Sequence, residues 1–460
     1  MITFTNLSGA AEIGANCYLL EMDGAEVVLD AGVHPKKEGN ESKPRLELLA
    51  EHAPEAIFVS HAHLDHIGAL PVVQEQFPRA EVIMTQGTAA VGAAMLHNSV
   101  NVMSAKRMFD GIVEYPFFTH GELERAVAQW NARPYEESFR VGSGEKLLGT
   151  LYDAGHILGS CGVLLESSRG ETVFYTGDVQ FEDQSIIPGA AFPQSGVDVL
   201  IMECTHGATE RSMAYTRKRE LERFARVIRE TLEGGGAVLI PVFALGKSQE
   251  LLYELGRFRD KGMIPDVPIY FGGLGSKITS IYDRLADDTP RRLPGMRLRE
   301  SVETTPIPRS TDTYFPCSPG NIYLVSSGMM SPHTLSNRLA AQVLSHPKDA
   351  LLIVGYSDPD SPAGRIRRTA PGELVRLGEQ EDQGQAYPVL CRVECFDFSG
   401  HAPRTALLDY AARLAPKHIV LVHGDEAALA EMRDMLRQWL PGGDKIRITV
   451  PEPGKPYRLL

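Results

Sequence analysis

Ser60-His61-Ala62-His63-Leu64-Asp65-His66 packs three imidazoles and a carboxylate into six positions, directly after the apolar run Ala56-Ile57-Phe58-Val59. The apolar run reads as a buried strand, and the polar residues after it as a loop at the strand's end. Two histidines two positions apart on extended backbone point the same way and can share one ion. The Asp and His that follow can turn toward a second. Neutral imidazole with carboxylate suits Zn²⁺, with Mn²⁺ or Fe as alternatives. A merely solvated histidine-rich loop is the bland reading, and it fits less well because sites gather at strand ends.

Outward from this loop, the chain before it is strand-rich. ITFTNL, NCYLLEM and AEVVLDAG alternate or run apolar between Gly, Asn and Asp turns, which predicts an antiparallel meander. LELLAEH has helical spacing, and helices are expected around VGAAMLHNSVNVM and HGELERAVAQWNA. SFRV, EKLLGTLYDAG, CGVLLESS, ETVFYTGD and VDVLIMECT then read as strands. From about 203 to 385 helices and buried strands alternate: RKRELERFARVIRETLEGGG, AVLIPVFA, KSQELLYELGRF, VPIYFGG, NIYLVSS and ALLIVGY predict a second, βαβ-like domain. RVECFDF and HIVLVHGD resemble the earlier strands, so the chain is expected to return to its first domain after about 386. The domains read as 1-202, 203-385 and 386-460, the first and last forming one unit.

With 460 residues, 43% apolar and 23% charged, the composition is that of a folded globular chain of two or three units. The net charge of −13 opposes bulk attraction to nucleic acid phosphates, so a polyanion must be gripped locally. Six sparse cysteines without a C-x-x-C pair read as buried thiols of a reducing, cytoplasmic protein. The N-terminal segment resembles no secretion signal, and no apolar stretch reaches membrane-spanning length, so no membrane partner is expected.

The H-x-H-x-D-H pattern at His61, His63, Asp65 and His66 resembles the signature of the metallo-β-lactamase superfamily, and further motifs resemble it in order. Leu29-Asp30-Ala31-Gly32 looks like the first motif, whose Asp buttresses the metal loop without binding metal. Ala154-Gly155-His156 resembles the motif whose His completes the first ion's ligands with His61 and His63. Tyr175-Thr176-Gly177-Asp178 resembles the one whose Asp bridges two ions. Met202-Glu203-Cys204-Thr205, Pro241-Val242-Phe243-Ala244-Leu245-Gly246, Gly355-Tyr356 with Gly364-Arg365, Phe398-Ser399-Gly400-His401 and Leu421-Val422-His423-Gly424 look like the β-CASP nucleases. The implied fold is α/β, a metallo-β-lactamase αββα sandwich with an inserted β-CASP α/β domain. The resemblance implies two Zn²⁺ per chain, one held by His61, His63 and His156, the other by Asp65, His66 and His423, with Asp178 between. His401 is the implied general acid, oriented or kept charged by Glu203. A histidine at position 423 accompanies RNA substrates in that branch.

Small-residue turns are candidate phosphate grips: Ser399 before His401, Ser326 and Ser327 before Gly328, and Gly272–Ser276, each read as opening a helix. Arg365 is expected to add a forked contact. Gly246-Lys247-Ser248 imitates the end of a P-loop, but Pro241 stands where a glycine is required, so no nucleotide triphosphate is expected. Cys391 and Cys395 read as core, and His206 and His333 have no assigned role. The groove motifs depart from the family at Pro403-Arg404, at His333 and across Asp358–Ala363.

The resemblance therefore implies a two-metal ribonuclease for single-stranded RNA, endonucleolytic with 5′ exonuclease action as a variant, its site between the two domains. A homodimer is one admissible assembly. The alternatives are a metal-dependent hydrolase of DNA or of a small molecule such as a lactone, thioester or cyclic phosphodiester, and a non-enzymatic scaffold. A scaffold would be expected to have lost ligands, yet all seven positions are filled.

Overall fold

The computed structural model describes residues 1–9, 12–142, 144, 146–212, 214–308, 314–378, 380, 382–440 and 446–460. The described chain divides into two compact units: Met1–Asp183, Ile187–Arg211 and His401–Leu460 form the first, and Gln184–Ile186 with Ser212–Gly400 the second.

Two seven-stranded sheets build the first unit. One runs Pro456–Arg458, Ile2–Asn6, Tyr18–Met22, Ala25–Leu29, Ala56–Phe58, Glu81–Met84, Trp130–Ala132 in spatial order. The other runs Arg447–Thr449, His418–Val422, Val199–Glu203, Thr172–Tyr175, Cys161–Ser167, Leu147–Asp153, Phe139–Val141. The meander expected at the start is antiparallel, with Ile2 opposite Met22 and Tyr18 opposite Leu29. Beyond Ala25–Leu29 the pairing turns parallel, through Ala56–Phe58 to Trp130–Ala132. In the second sheet the four strands Thr172–Tyr175, Val199–Glu203, His418–Val422 and Arg447–Thr449 are likewise parallel. Between the sheets Phe4, Tyr18, Val27, Leu29 and Phe58 meet Val163, Leu165, Tyr175, Ile201 and Val420 in one apolar core. Further buried clusters cover the outer faces with helices. This is the layered α/β sandwich that the strand pattern and the resemblance imply.

Two local expectations change. LELLAEH forms only a 3-10 turn, Leu46–Leu49. The helix after Thr119, closed by a capping box with Glu122, stops at Val127. Trp130–Ala132 instead pairs with Glu81–Met84 as the sheet's edge strand. The apolar side chain of Trp130 suits a helix face and a sheet face equally, so periodicity alone could not separate them.

The second unit has a six-stranded, wholly parallel sheet in the order Thr305–Pro306, Ile269–Phe271, Ile322–Val325, Val238–Pro241, Ala350–Val354, Arg392–Phe396. Continuous apolar strands alternate with amphipathic helices such as Arg217–Glu233 and Lys247–Asp260, the pattern of a sheet covered on both faces. Arg392–Phe396 completes this sheet by pairing along its whole length with Ala350–Val354, so the strand soon after 386 lies in this unit.

Candidate metal centre

The parallel strands of the first unit place their C-terminal ends, and the polar residues after them, at one edge of the sandwich. Ala25–Leu29 leads to Asp30, Ala56–Phe58 to the histidine loop, Thr172–Tyr175 to Asp178, and His418–Val422 to His423. Leu147–Asp153 leads to His156. For the first four, parallel pairing makes neighbouring strands finish side by side; Leu147–Asp153 runs the same way because two antiparallel steps, through Cys161–Ser167, separate it from Thr172–Tyr175.

Two donor groups form there. His61, His63, His156 and Asp178 each offer one ligand atom, all within 4.8 Å of one another; Asp65, His66 and His423 do the same. His63 Nδ1 stands 3.1 Å from both His61 Nε2 and His156 Nε2. Asp178 joins the groups: its Oδ2 lies 3.4 Å from His61 Nε2 and 3.6 Å from His156 Nε2, while Oδ1 lies 3.4 Å from His66 Nε2 and from His423 Nδ1. Asp65 Oδ2 is 3.4 Å from His423 Nε2 and 3.7 Å from His66 Nε2.

This donor set fits divalent ions better than it fits hydrogen bonds. Three imidazole nitrogens turned on one point cannot all be satisfied by protons, since each shared proton serves one pair. Asp178 Oδ1 is buried yet makes no hydrogen bond among the described residues, a cost a protein tolerates where a cation takes the oxygen. Burial, reinforced by the neighbouring imidazoles, holds His61 well below the ordinary histidine range, and burial also lowers His63. Both are therefore neutral ligands at pH 7. Burial works against charge on His66, but the carboxylates of Asp178, Asp30 and Asp65 outweigh it and push this histidine up to about 10. Asp65 is held well below the carboxylate range, its burial overcome by His66 and His423. A zone with this much negative charge attracts a cation of either kind, proton or metal.

Asp30 sets the direction of the loop without facing either group. Fully buried, it accepts from Ser60 N at 2.7 Å, Ser60 Oγ at 2.8 Å and Tyr175 OH at 2.6 Å, and holds His66 Nδ1 at 2.7 Å. With Nδ1 so engaged, His66 turns Nε2 toward Asp178. Ser60 Oγ does the same for His61, 3.1 Å from its Nδ1. Gly32 allows the loop to close over this carboxylate, because a Cβ there would come within 1.7 Å of the Asp65 carbonyl oxygen.

His401 and Glu203 stand beside the cluster. His401 Nδ1 is 3.1 Å from Glu203 Oε1 and 4.0 Å from Asp178 Oδ2, and its ring lies 4.7 Å from that of His156. Glu203 accepts the Val179 N–H at 2.8 Å and the Thr205 N–H at 3.2 Å. Burial opposes the charge on each, but mutual attraction wins: His401 is pushed up to about 9 and Glu203 held well below its usual range. Asp178, Glu203, His401 and His423 also qualify as a donor group by distance.

Several contributors went unassigned in the sequence. Thr205 Oγ1 lies 2.9 Å from His423 Nδ1, Asn16 Nδ2 donates to the Asp65 carbonyl at 3.0 Å, and Tyr175 and Ser60 anchor Asp30. Ser60, Tyr175 and Thr205 each stand next to, or within three positions of, a motif residue, which is the only signal they carried. Asn16 had none. The ring of His206 lies 6.0 Å from that of His401, edge to face.

The expected phosphate grips behave differently. Arg365 is 5% exposed and its guanidinium donates to the carbonyls of Asp360, Arg376 and Gly378. The expected forked phosphate contact is therefore corrected: Arg365 clamps backbone. Ser326 and Ser327 do not open a helix, since the next one begins at Leu335 and is capped by Thr334; Ser327 Oγ accepts the Ser331 N–H at 3.0 Å in the turn between. Ser399 donates its N–H to Asp397 at 3.1 Å. Gly272 does lead into a helix, Gly273–Arg284, without a side-chain cap. Lys247 is drawn to the Phe398 carbonyl, and Ser248 Oγ to that of Phe243 at 2.7 Å, so neither resembles a P-loop. Cys391 and Cys395 pack into an apolar cluster, as expected. No helix among the described residues is long and apolar enough to cross a membrane.

Residues 11–206 match the metallo-β-lactamase superfamily, 248–366 the β-CASP domain, and 386–451 a zinc-dependent metallo-hydrolase RNA specificity domain. Endoribonuclease ysh1 of Schizosaccharomyces pombe is 30% identical over 95% of this chain and 56% of its own length. Cleavage and polyadenylation specificity factor 73 of Drosophila melanogaster is 28% identical over 94% and 61%. Transcription termination factor FttA of Methanothermobacter thermautotrophicus is 28% identical over 92% and 66%. The chain thus spans little more than half the length of the eukaryotic relatives it matches. A crystal structure of an Enterococcus faecalis protein of unknown function shares the fold, with a TM-score of 0.55 and 14% identity over 99% of both chains.

Proposed function

We propose that this chain, which belongs to the β-CASP group of the metallo-β-lactamase superfamily, is a two-metal ribonuclease hydrolysing phosphodiester bonds of single-stranded RNA, by endonucleolytic cleavage. The observation that carries the proposal is Asp178: its two oxygens face two separate donor groups, and the His401–Glu203 pair stands beside them. We assign one ion to His61, His63 and His156, the other to Asp65, His66 and His423, with Asp178 between. Zinc is the ion we expect, with manganese or iron as alternatives, because nitrogen and carboxylate donors suit all three.

When bound, the divalent ions supply Lewis acidity that activates water and neutralises charge on the phosphorus oxygens. The chain's own residues handle the leaving group. Glu203 holds His401 Nδ1, so the transferable proton sits on Nε2. A histidine pushed up to about 9 arrives protonated at neutral pH and can donate that proton to the departing ribose oxygen. Asp30 and Ser60 keep His66 and His61 from rotating away during the cycle.

RNA is favoured over DNA by His423 and by the endoribonuclease name of the fission yeast relative. A cytoplasmic location and a homodimer remain proposals resting on the sequence alone. The test uses protein with measured metal content, a body-labelled RNA blocked at its 5′ end, a matched single-stranded DNA and a small thioester. Internal cuts in the RNA are expected. If cutting stops when the 5′ end is blocked, the enzyme is an exonuclease, and if only DNA or the thioester turns over, the ribonuclease assignment is wrong.

A further inference from the structure

Every residue concerned lies in the second unit. In its parallel sheet Val238–Pro241 and Ala350–Val354 are neighbours, with Val238 opposite Ala350 and Leu239 opposite Leu351. Phe243 stands two positions past the end of Val238–Pro241, and Tyr356 two positions past the end of Ala350–Val354. Both rings face solvent, Phe243 at 37% and Tyr356 at 48% exposure. Two large exposed rings, each just past the C-terminal end of one of two adjacent parallel strands, occupy the place where open α/β sheets receive ligands.

Neither ring is carried on a loose loop. The Phe243 carbonyl accepts from Ser248 N at 3.2 Å and Ser248 Oγ at 2.7 Å, at the start of the helix Lys247–Asp260. Gly328 lies against the Phe243 ring, where a Cβ would come within 3.1 Å of Cδ2. Gly355 N donates to the Phe396 carbonyl at 3.0 Å, and Tyr356 OH to Asp358 Oδ2 at 3.4 Å. Gly355, directly before Tyr356, has an open Cβ direction, with no atom of the described residues within 4 Å. Ser357 follows Tyr356 with a buried hydroxyl that makes no hydrogen bond among the described residues.

We propose that Phe243 and Tyr356 form a stacking platform for unpaired bases of the RNA substrate. The proposal rests on the ribonuclease reading above and adds where the chain is held. A fixed ring loses little freedom on binding and offers a π-face to any base, so the platform is indifferent to sequence. It demands that the base be unpaired, because bases in a duplex already stack on each other. For a chain of charge −13 this grip has a second merit: it does not depend on the phosphate charge that the protein as a whole repels.

The test measures binding separately from cleavage. The full-length protein carrying His401→Ala, which keeps the RNA uncut, is titrated with a 2-aminopurine-labelled single-stranded oligonucleotide. Phe243→Ala and Tyr356→Ala, added singly, should each raise Kd about tenfold and relieve quenching of the probe, while Tyr356→Phe should bind as the parent does. Both rings are exposed, so unchanged melting curves are expected. An oligonucleotide with abasic sites should bind weakly to the parent and lose nothing further in the variants. If Phe243→Ala and Tyr356→Ala bind the intact oligonucleotide as tightly as the parent, the platform is refuted, even if the protein proves to be a ribonuclease. If Tyr356→Phe weakens binding as much as Tyr356→Ala, stacking is the wrong mechanism and a hydroxyl contact replaces it. Should metal-loaded wild type bind RNA through both rings without cutting it, the functional assignment fails and the platform stands.

Discussion

The loop His61–His66 and the segment Gly355–Arg365 both follow a buried parallel strand, and both carry charged residues that look like a site. Their side chains do opposite things. In the first, His61, His63, Asp65 and His66 turn toward one another and toward Asp178, leaving a buried oxygen without a hydrogen bond among the described residues. In the second, Arg365 turns away from solvent and spends its donors on the carbonyls of Asp360, Arg376 and Gly378. At Asp178 the protein leaves an oxygen open to a ligand from outside, whereas at Arg365 its own carbonyls take the guanidinium donors.

The strongest way to break this contrast is Asp178→Ala. It should abolish nuclease activity and reduce bound metal measured by elemental analysis, because both donor groups lose their shared carboxylate. Full activity with full metal content would remove the premise. His401→Ala should cost on the order of 10²–10⁴ in kcat with metal retained, as expected of a proton donor outside the ligand set. Loss of metal in that variant would make His401 a ligand instead. Asp30→Asn should weaken metal affinity by about 10–100-fold by freeing the His66 ring, and equilibrium competition with a chelator measures it.

Arg365→Ala sharpens the other side of the comparison. It should lower stability by about 2–3 kcal/mol by leaving buried carbonyls without donors, while RNA affinity of the folded protein stays unchanged. A normal melting curve with lost RNA binding would restore Arg365 as a phosphate grip.

The smallest effect is a pH dependence in metal-free protein. His401 is raised from its ordinary 6.5 to about 9. Its share of the pair's stabilisation is therefore fully present below pH 6.5 and lost as pH rises through about 9. Glu203 is depressed from its ordinary 4.5, so its share is present above pH 4.5 and lost as pH falls through the lowered value. The stability gap between wild type and His401→Ala should be widest between these limits and should close above pH 9, as denaturant melts would show.

Much of the centre was legible because metal ligation restricts residue type. His61, His63, Asp65 and His66 are dense in the chain and follow an apolar strand, and family resemblance carried the reading on to His156, Asp178, Glu203, His401 and His423. Thr205, Asn16 and Tyr175 had no role assigned because a supporting hydrogen bond can come from almost any polar residue, and nothing in local spacing selects one. Arg365 misled for a related reason: a guanidinium in a motif looks the same whether its five donors meet a phosphate or backbone carbonyls.

By itself the amino-acid order determined that the His61–His66 loop follows a buried strand and carries residue types that ligate metal, through side-chain chemistry and hydrophobic patterning, and family resemblance added the later ligands. Only the tertiary structure decided which oxygen of Asp178 faces which donor group, that Asp30 holds His66 rather than an ion, and that Arg365 is committed to carbonyls. Those outcomes depend on directions of side chains from strands far apart in the chain, and direction is set by packing, about which a linear pattern carries no information.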